Sequence, residues 1–381
     1  MRDKNITPLE YACMTCDTVM ETLDAAELPP PGRFHYRAGV FLSGMERCYW
    51  KTGRKAYHQY IQKWVDSIVN PDGSIRDFIA FDGKLTPHRK GMLDDLQPAV
   101  LLFRLYEETG CEQYKNVIER FCGYIKQWPT NPLGGFWHMD NKENQMWLDG
   151  LYMAGPLMTR YGAEQKDMAC FDLMIRQAAL MRDHMRDETT GLYYHAWDFS
   201  KKADWADPES GCSPEFWGRA IGWFAAAILD MLDFVPEGVS RRGELVEIVQ
   251  ELLQCLPRYQ DKASGMWYQV TNKLEAPDNW VETTCTCLFT YALLKACRKG
   301  YLPESYAAAA QKGYEGVLEQ VCFEKENRIE LRGVCAGTCV GDYSYYVNRP
   351  RVVNDLHGMG AFVLMCTEAA EYAAEKRRAQ R

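Results

Sequence analysis

The feature that most constrains this 381-residue chain is a helical unit that recurs six times. In each unit a polar or aromatic segment leads into a helix that is apolar nearly all round, as expected of a buried helix. The predicted helices of this kind begin near His35, Asp94, Trp147, Phe216, Trp280 and Asn354. Their starts are 59, 53, 69, 64 and 74 residues apart, a spacing typical of stacked helix pairs.

A second kind of helix alternates with the first and carries apolar residues on one side only. Its predicted members lie near 8–24, 55–69, 112–127, 167–186, 241–258 and 303–321. An open solenoid is one interpretation, but its inner helices would keep a wet concave face, whereas these are polar only in their first turns. The pattern therefore predicts an all-α (α/α)6 barrel (toroid) of six inner and six outer helices, forming a single domain over residues 1–381.

The composition of the chain argues against nucleic acids, membranes and metals as partners. Lys and Arg number 44 against 52 Asp and Glu, and the net charge of −8 argues against nucleic acid, which needs a basic surface. No apolar run reaches the ~20 residues needed to cross a bilayer, so we expect no membrane partner and a soluble, cytoplasmic protein. Cys13 and Cys16 resemble half a zinc site, but no second pair follows at suitable spacing. We therefore predict no metal and no other cofactor.

Ionisable residues stand in the first turn of almost every buried helix, where burial is costly unless the group is paired or used. Asp94 has an alternative role as a helix cap, whereas Asp149 lies between aromatic and apolar neighbours with no local capping duty. Arg219 is a cation in a buried helix and therefore needs a partner, which is either an internal carboxylate or a substrate carboxylate held bidentately. His138 and His195 follow aromatic runs in equivalent places before consecutive inner helices. Two carboxylates in an aromatic-lined cavity indicate acid/base work on a sugar.

Aromatic residues make up 13% of the chain, and rings that stack on sugars are concentrated in the segments before the inner helices. The candidate rings are Trp137, Tyr194, Trp197, Trp217 and Trp223. Core packing is the alternative for each of them.

Eight segments together resemble the unsaturated rhamnogalacturonyl hydrolases of glycoside hydrolase family 105. They are HYRAGVFLSG, LDDLQPA, GGFWHMD, QMWLDGLYM, GLYYHAWD, GCSPEFWGRAIGW, RYQDKASGMWYQ and NDLHGMGAF. The resemblance runs in order from about Tyr11 to Glu371, and it implies the same (α/α)6 barrel. It also implies a cytoplasmic enzyme that removes a Δ4,5-unsaturated galacturonyl residue from lyase-generated pectin fragments by hydrating the C4=C5 enol ether.

The resemblance also implies roles for particular residues. Asp149 would be the catalytic acid and then base, and Asp94 the second catalytic carboxylate, with the adjacent Asp95 as an alternative. The implied substrate-binding residues are Tyr36, His138, Trp147, His195, Trp217, Arg219 and Trp223. Arg219 would bind the uronate carboxylate. The stretch 77–91 has no strong family counterpart and leaves the aglycone open.

Two other function classes remain open at this point. A conventional inverting glycosidase would use Asp94 and Asp149 as a base and acid on saturated substrates. A non-catalytic helical-repeat binding module would use the same residues as caps and internal ion pairs. An unsaturated glucuronyl hydrolase acting on another polysaccharide is a variant of the first hypothesis. The expected partner is an unsaturated pectin-derived oligosaccharide, and the expected assembly is a monomer or weak homo-oligomer.

Overall fold

A computed structural model describes residues 6–79, 84–88, 91–324 and 328–380. The α-helices in these residues are α1 (Pro8–Thr22), α2 (Tyr36–Thr52), α3 (Lys55–Ile68), α4 (Leu102–Thr109), α5 (Glu112–Lys126), α6 (Asp149–Gln165), α7 (Met168–Met185), α8 (Gly218–Leu232), α9 (Arg242–Cys255), α10 (Thr283–Arg298), α11 (Ala307–Leu318), α12 (Tyr343–Val347) and α13 (Leu356–Ala379). The strands are β1 (Phe78–Ile79), β2 (Leu85–Thr86), β3 (Gln145–Trp147), β4 (Ala196–Asp198), β5 (Val321–Phe323), β6 (Ile329–Leu331), β7 (Val334–Cys335) and β8 (Arg351–Val352).

The inner helices form a closed ring. Helix α2 packs on the 3₁₀ segment that precedes α4, that segment packs on α6, and the series continues through α8, α10 and α13 back to α2. The closing contact depends on small residues, since a Cβ added to Gly360 would lie 2.6 Å from the backbone nitrogen of Phe41. This arrangement confirms the predicted (α/α)6 barrel.

The outer helices α1, α3, α5, α7, α9 and α11 lie within a few residues of their predicted positions. Their one-sided pattern explains why they form and where they pack. In α3, for example, Tyr57, Tyr60, Ile61, Trp64, Val65 and Ile68 are buried at helical spacing. The polar residues between them face outward.

The second inner helix differs from the expectation of a continuous α-helix near Asp94. The chain instead forms 3₁₀ segments at Leu93–Asp95 and Gln97–Leu101 before α4 begins. Pro98 has no N–H to donate to a carbonyl one turn earlier, so the α-helical ladder cannot run through this position. The tighter i→i+3 pattern replaces it, as in the hydrogen bond of 3.0 Å from the Ala99 N–H to the Leu96 carbonyl.

In the part of the chain that the structure describes, four antiparallel two-stranded sheets connect the helices: β1–β2, β3–β4, β5–β6 and β7–β8. One of the aromatic segments that precede the inner helices contributes the three-residue strand β4. In the β3–β4 pair, Met146 lies opposite Trp197 and Trp147 lies opposite Ala196. This pairing fixes the start of α6 against the segment that contains His195.

Among the described residues, no helix combines the length and the apolar character needed to span a membrane. All fifteen cysteines are free thiols, and all except Cys111, Cys322 and Cys339 are buried. Most of the cysteines therefore serve as small buried residues.

Candidate active site

Asp149 is the first residue of α6 and lies where the inner helix begins at one end of the barrel. The residue is 9% exposed, and its Oδ2 atom is shielded from solvent. No side-chain capping hydrogen bond is present at this helix start, so the carboxyl is not used to complete the helix. Its neighbour Gly150 allows close packing, since an added Cβ would lie 3.3 Å from Nδ1 of His138.

His195 lies directly beside this carboxyl. Its Nε2 is 3.2 Å from Oδ2 of Asp149, and the ring is fully buried. The two atoms do not form an aligned hydrogen bond in the free protein, as is common for acid/base groups that align fully only with substrate. The position follows from the β3–β4 pairing, because the Leu148 N–H donates to the His195 carbonyl at 3.0 Å. Burial lowers the pKa of His195, although Asp149 opposes that effect.

Asp94 forms a second carboxylate–histidine group. Its Oδ1 lies 3.3 Å from Nε2 of His138, and its Oδ2 lies 3.9 Å from Nε2 of His35. Burial would raise the pKa of Asp94, but His138 and His35 outweigh it and hold the pKa below its ordinary value. The surrounding 3₁₀ segment has no side-chain cap, so the capping alternative for Asp94 is wrong.

The adjacent Asp95 has a different partner. Its carboxylate accepts two hydrogen bonds from Arg33, from Nε at 3.1 Å and from Nη2 at 3.1 Å. This bidentate pair occupies both oxygens of Asp95. Of the two neighbouring carboxylates, Asp94 is therefore the one that faces the candidate histidines.

Aromatic rings join the two carboxylate–histidine groups. Trp147, two residues before α6, stacks on His138 with centroids 4.4 Å apart and meets the edge of His195 at 5.5 Å. Trp217, at the N-cap of α8, lies 4.6 Å from the His195 ring. Trp147 thus links the two groups, and both His138 and His195 contact a tryptophan.

Tyr36 is the first residue of α2, and its ring lies 6.5 Å from His357. Burial raises the pKa of Tyr36 to about 12. Its hydroxyl therefore keeps its proton at neutral pH and can donate a hydrogen bond.

Arg219 is 2% exposed in the first turn of α8. Its Nη1 donates to the Cys335 carbonyl at 2.5 Å and its Nη2 to the Ala336 carbonyl at 3.0 Å. The guanidinium carbon lies 4.5 Å from the Trp217 ring centroid, a cation–π distance. No carboxylate among the described residues comes within 4.0 Å of this guanidinium, so it has no direct internal ion pair there.

The charge of Arg219 is balanced by Asp355, which contacts it through His357 and not directly. Its Nη1 is 2.9 Å from Nε2 of His357, whose Nδ1 lies 2.6 Å from Oδ1 of Asp355. Burial opposes ionisation of Asp355, but His357 and Arg37 hold the pKa of that carboxyl well below its usual range. Arg219 is thus positioned by backbone carbonyls and by a histidine–carboxylate pair.

Trp223 differs from the other predicted site residues. It is 1% exposed within α8, and its ring contacts Tyr152 at 4.7 Å. Within the described part of the chain, no ring contact or hydrogen bond joins it to the group around Asp149. Trp197 likewise stacks on His184, at 4.1 Å, and Tyr194 stacks on Phe216 at 4.5 Å. Core packing therefore accounts for the contacts of these three rings.

Sequence reasoning did not single out Tyr346, which is fully buried in the short helix α12. Its hydroxyl lies 2.7 Å from Nδ1 of His195, and its ring stacks on Trp217 with centroids 5.7 Å apart. The available signal was the aromatic run at 343–346, which stands before the last inner helix as other aromatic segments stand before theirs.

A separate cavity of about 260 Å³ lies at the opposite end of the barrel. Its walls come from the later turns of the inner helices and include Arg47, Asp230, Lys295 and Glu368. None of the predicted site residues lines it. The described residues also contain no group of three or more His, Cys, Asp or Glu arranged to hold a metal ion.

The stretch 77–91 lies partly outside the described residues. Among its described residues, Phe78 lies near the partner of Asp95: the Arg33 guanidinium carbon is 5.2 Å from the Phe78 ring centroid. The Gly91 carbonyl accepts a hydrogen bond of 2.7 Å from the Asp140 N–H.

The buried imidazoles predict an acid-sensitive fold. Burial lowers the pKa of His195 and His357, and lowers that of His35 to about 3. Below pH ~6.5 the unfolded chain takes up protons that the folded chain does not, so stability falls as the pH falls. Urea unfolding should show a loss of up to about 1.4 kcal/mol per pH unit for each such imidazole.

A His35→Asn variant keeps a capping side chain at the start of α2 and removes one of these imidazoles. The unfolding free energy of this variant should depend less steeply on pH between 6.5 and 5, because about one proton fewer is taken up on unfolding. Equal unfolding free energies for the unmodified chain at pH 7 and pH 5 would contradict the prediction.

Several known proteins that resemble this chain in sequence or structure are glycoside hydrolases. The model of glycosyl hydrolase family 88 matches residues 11–373. A solved family 105 glycoside hydrolase from C. acetobutylicum is 31% identical, with a TM-score of 0.87, over 95% of this chain and 99% of that one. The unsaturated rhamnogalacturonyl hydrolase YesR of Bacillus subtilis is 29% identical over 312 residues, 79% of each protein. The unsaturated glucuronyl hydrolase of Bacillus sp. GL1, at 14% identity and a TM-score of 0.66 over 93% of this chain and 94% of that one, shares the fold.

Proposed function

The chain belongs to glycosyl hydrolase family 88, and on this basis we propose that it is an unsaturated rhamnogalacturonyl hydrolase. Its substrate is the Δ4,5-unsaturated galacturonyl residue at the non-reducing end of lyase-generated rhamnogalacturonan oligosaccharides, typically linked to rhamnose. The observation that carries the proposal is the carboxyl of Asp149, buried at a helix start without a capping role and 3.2 Å from His195.

The reaction needs one group that gives a proton and then takes one. Asp149 donates a proton to C4 of the enol ether, and the positive charge that develops is shared by C5 and the ring oxygen. The Asp149 carboxylate then accepts a proton from the water that adds to C5. The resulting hemiketal opens to a ketone, which converts C1 into an unstable hemiacetal, and the aglycone leaves from it.

The remaining residues serve binding. Arg219 carries a positive charge without a direct carboxylate partner among the described residues, so we assign it to the uronate carboxylate. Trp147 and Trp217 supply flat faces for the sugar ring. Asp94, whose Oδ1 lies 3.3 Å from Nε2 of His138, accepts hydrogen bonds from sugar hydroxyls.

A pair of disaccharides tests this proposal. Incubation with unsaturated galacturonyl-rhamnose should remove the ultraviolet absorbance of the enol ether and release rhamnose. The saturated galacturonyl-rhamnose should remain intact, because it has no double bond to protonate. Cleavage of the saturated compound without turnover of the unsaturated one would favour the inverting-glycosidase alternative.

Two further substrates test the sugar assignment. Unsaturated glucuronyl disaccharides and ulvan-type fragments contain the same enol ether with different neighbours. We expect the highest kcat/KM for the galacturonyl-rhamnose compound. A higher value for a glucuronyl compound would retain the hydration chemistry and overturn the proposed substrate.

A further inference from the structure

The hydroxyl of Tyr346 forms the far end of a short chain of contacts to Asp149. The Gly341 N–H lies 3.2 Å from Oη of Tyr346 and donates to it. Oη is in turn 2.7 Å from Nδ1 of His195, and Nε2 on the other side of that ring is 3.2 Å from Oδ2 of Asp149. Each atom in this series is placed by a different segment of the chain.

The hydrogen-bond donors in the series from Gly341 to Asp149 follow from the number of protons that each group carries. Oη accepts from the Gly341 N–H, which leaves its own O–H free to donate to Nδ1 of His195. Burial keeps the His195 ring neutral by lowering its pKa, so the ring has a single N–H. When Nδ1 accepts, that N–H is on Nε2 and faces Asp149.

The opposite tautomer is unfavourable at both ends. With Asp149 ionised, it would aim the lone pair of Nε2 at a carboxylate oxygen, and in either state it would remove the acceptor that the Tyr346 O–H needs. The Nε2–H tautomer also has a consequence for Asp149. Oδ2 faces this N–H at 3.2 Å, so a proton on the carboxyl is held by Oδ1.

The backbone of α12 holds Tyr346 firmly in place. Gln269 Nε2 donates to the Tyr346 carbonyl at 3.2 Å, and Trp280 Nε1 donates to the Val347 carbonyl at 3.1 Å. The ring stacks on Trp217 at an interplanar angle of 19°. Removal of the hydroxyl alone would leave these anchors intact.

We propose that Tyr346 is a positioning residue that fixes the Nε2–H tautomer of His195 and thereby keeps the acidic proton of Asp149 on Oδ1, the oxygen that reaches the substrate. The mechanistic part of this proposal rests on the function proposed above. The tautomer itself is a property of the free protein.

Kinetics of a Tyr346→Phe variant test the positioning role. We expect kcat on the unsaturated disaccharide to fall about ten- to a hundredfold, with KM within about twofold because the stacking ring remains. The matched control is Tyr345→Phe. Tyr345 directly precedes Tyr346 on the same helix, and its hydroxyl accepts a hydrogen bond of 3.0 Å from the Cys339 N–H. That variant also loses one loop anchor but should keep its kcat.

Nitrogen NMR of ¹⁵N-histidine-labelled protein tests the tautomer without substrate. The His195 signals, assigned by their loss in His195→Gln, should show a bare Nδ1 and a protonated Nε2. In Tyr346→Phe the Nδ1–H form should appear. A protonated Nδ1 in the unmodified protein, or an unchanged tautomer and unchanged kcat in Tyr346→Phe, would overturn the proposal. Absence of turnover by the unmodified enzyme would reject the proposed function and leave the NMR result to decide the tautomer.

Discussion

Replacement of Asp149 by asparagine should lower kcat on an unsaturated galacturonyl disaccharide by about a thousandfold or more. Both proton transfers of the proposed reaction use this carboxyl, and one positioned acid/base group contributes about 10²- to 10⁴-fold. Asparagine has nearly the same shape and can still lie beside His195, so KM should change by no more than about threefold. The measurement is the loss of enol-ether absorbance under steady-state conditions.

The matched control for this variant is Asp183→Asn, which makes the same chemical change on the exposed face of α7. It should keep full activity. Urea unfolding of both variants separates a loss of chemistry from a loss of structure. Retention of a tenth or more of kcat by a folded Asp149→Asn protein would remove Asp149 from the role of acid.

Lys295→Met should cause a large loss of stability at the far end of the barrel. The Lys295 side chain is 2% exposed, and its ammonium group contacts Asp230 Oδ1 at 2.5 Å and Asp233 Oδ2 at 2.6 Å. Methionine fills a similar volume but removes this shared cation, which leaves Arg47 at 3.3 Å from Asp230 and Lys299 at 2.9 Å from Asp233. Removing one partner of a buried ion pair costs about 3–5 kcal/mol when the other charge is left unpaired, so the free energy of unfolding should fall by up to that amount.

Lys299→Met provides the comparison on the same carboxylate. Its ammonium lies 2.9 Å from Oδ1 of Asp233, but its side chain is 39% exposed. An exposed pair of this kind is worth about 0–1 kcal/mol. Chemical denaturation should therefore separate the two variants clearly, and equal losses would show that burial of Lys295 is not what makes its ion pairs important.

The helical architecture could be predicted because the outer helices have a periodic apolar face and the inner helices are apolar nearly all round beyond their polar first turns. The outer helix predicted at 55–69 is α3 (Lys55–Ile68), and the inner helix predicted near Trp280 begins at Thr283. The 3₁₀ conformation of the second inner helix was harder to predict, because it depends on which backbone hydrogen bond is lost at Pro98. Helix α12, only five residues long, has too few turns to show a period.

The site could be predicted only in part. Polar first turns place Asp149 and Arg219 at one end of the barrel, and this follows from the helix pattern alone. The contacts of Asp94 with His138 and of Asp149 with His195 depend on how short strands pair across distant segments. Tyr346 reaches His195 from 151 residues away, and no local periodicity encodes such a distance.

The two ends of the inner helices have different tasks, and this has a consequence for redesign. Helix α8 carries Arg219 in its first turn and Asp230 near its last, with apolar residues between them. Substitutions around the first turns should alter substrate choice, whereas those around the last turns should alter stability and leave substrate choice unchanged. Directed evolution toward a new aglycone can therefore be confined to one rim of the barrel, while thermostability is improved independently at the other.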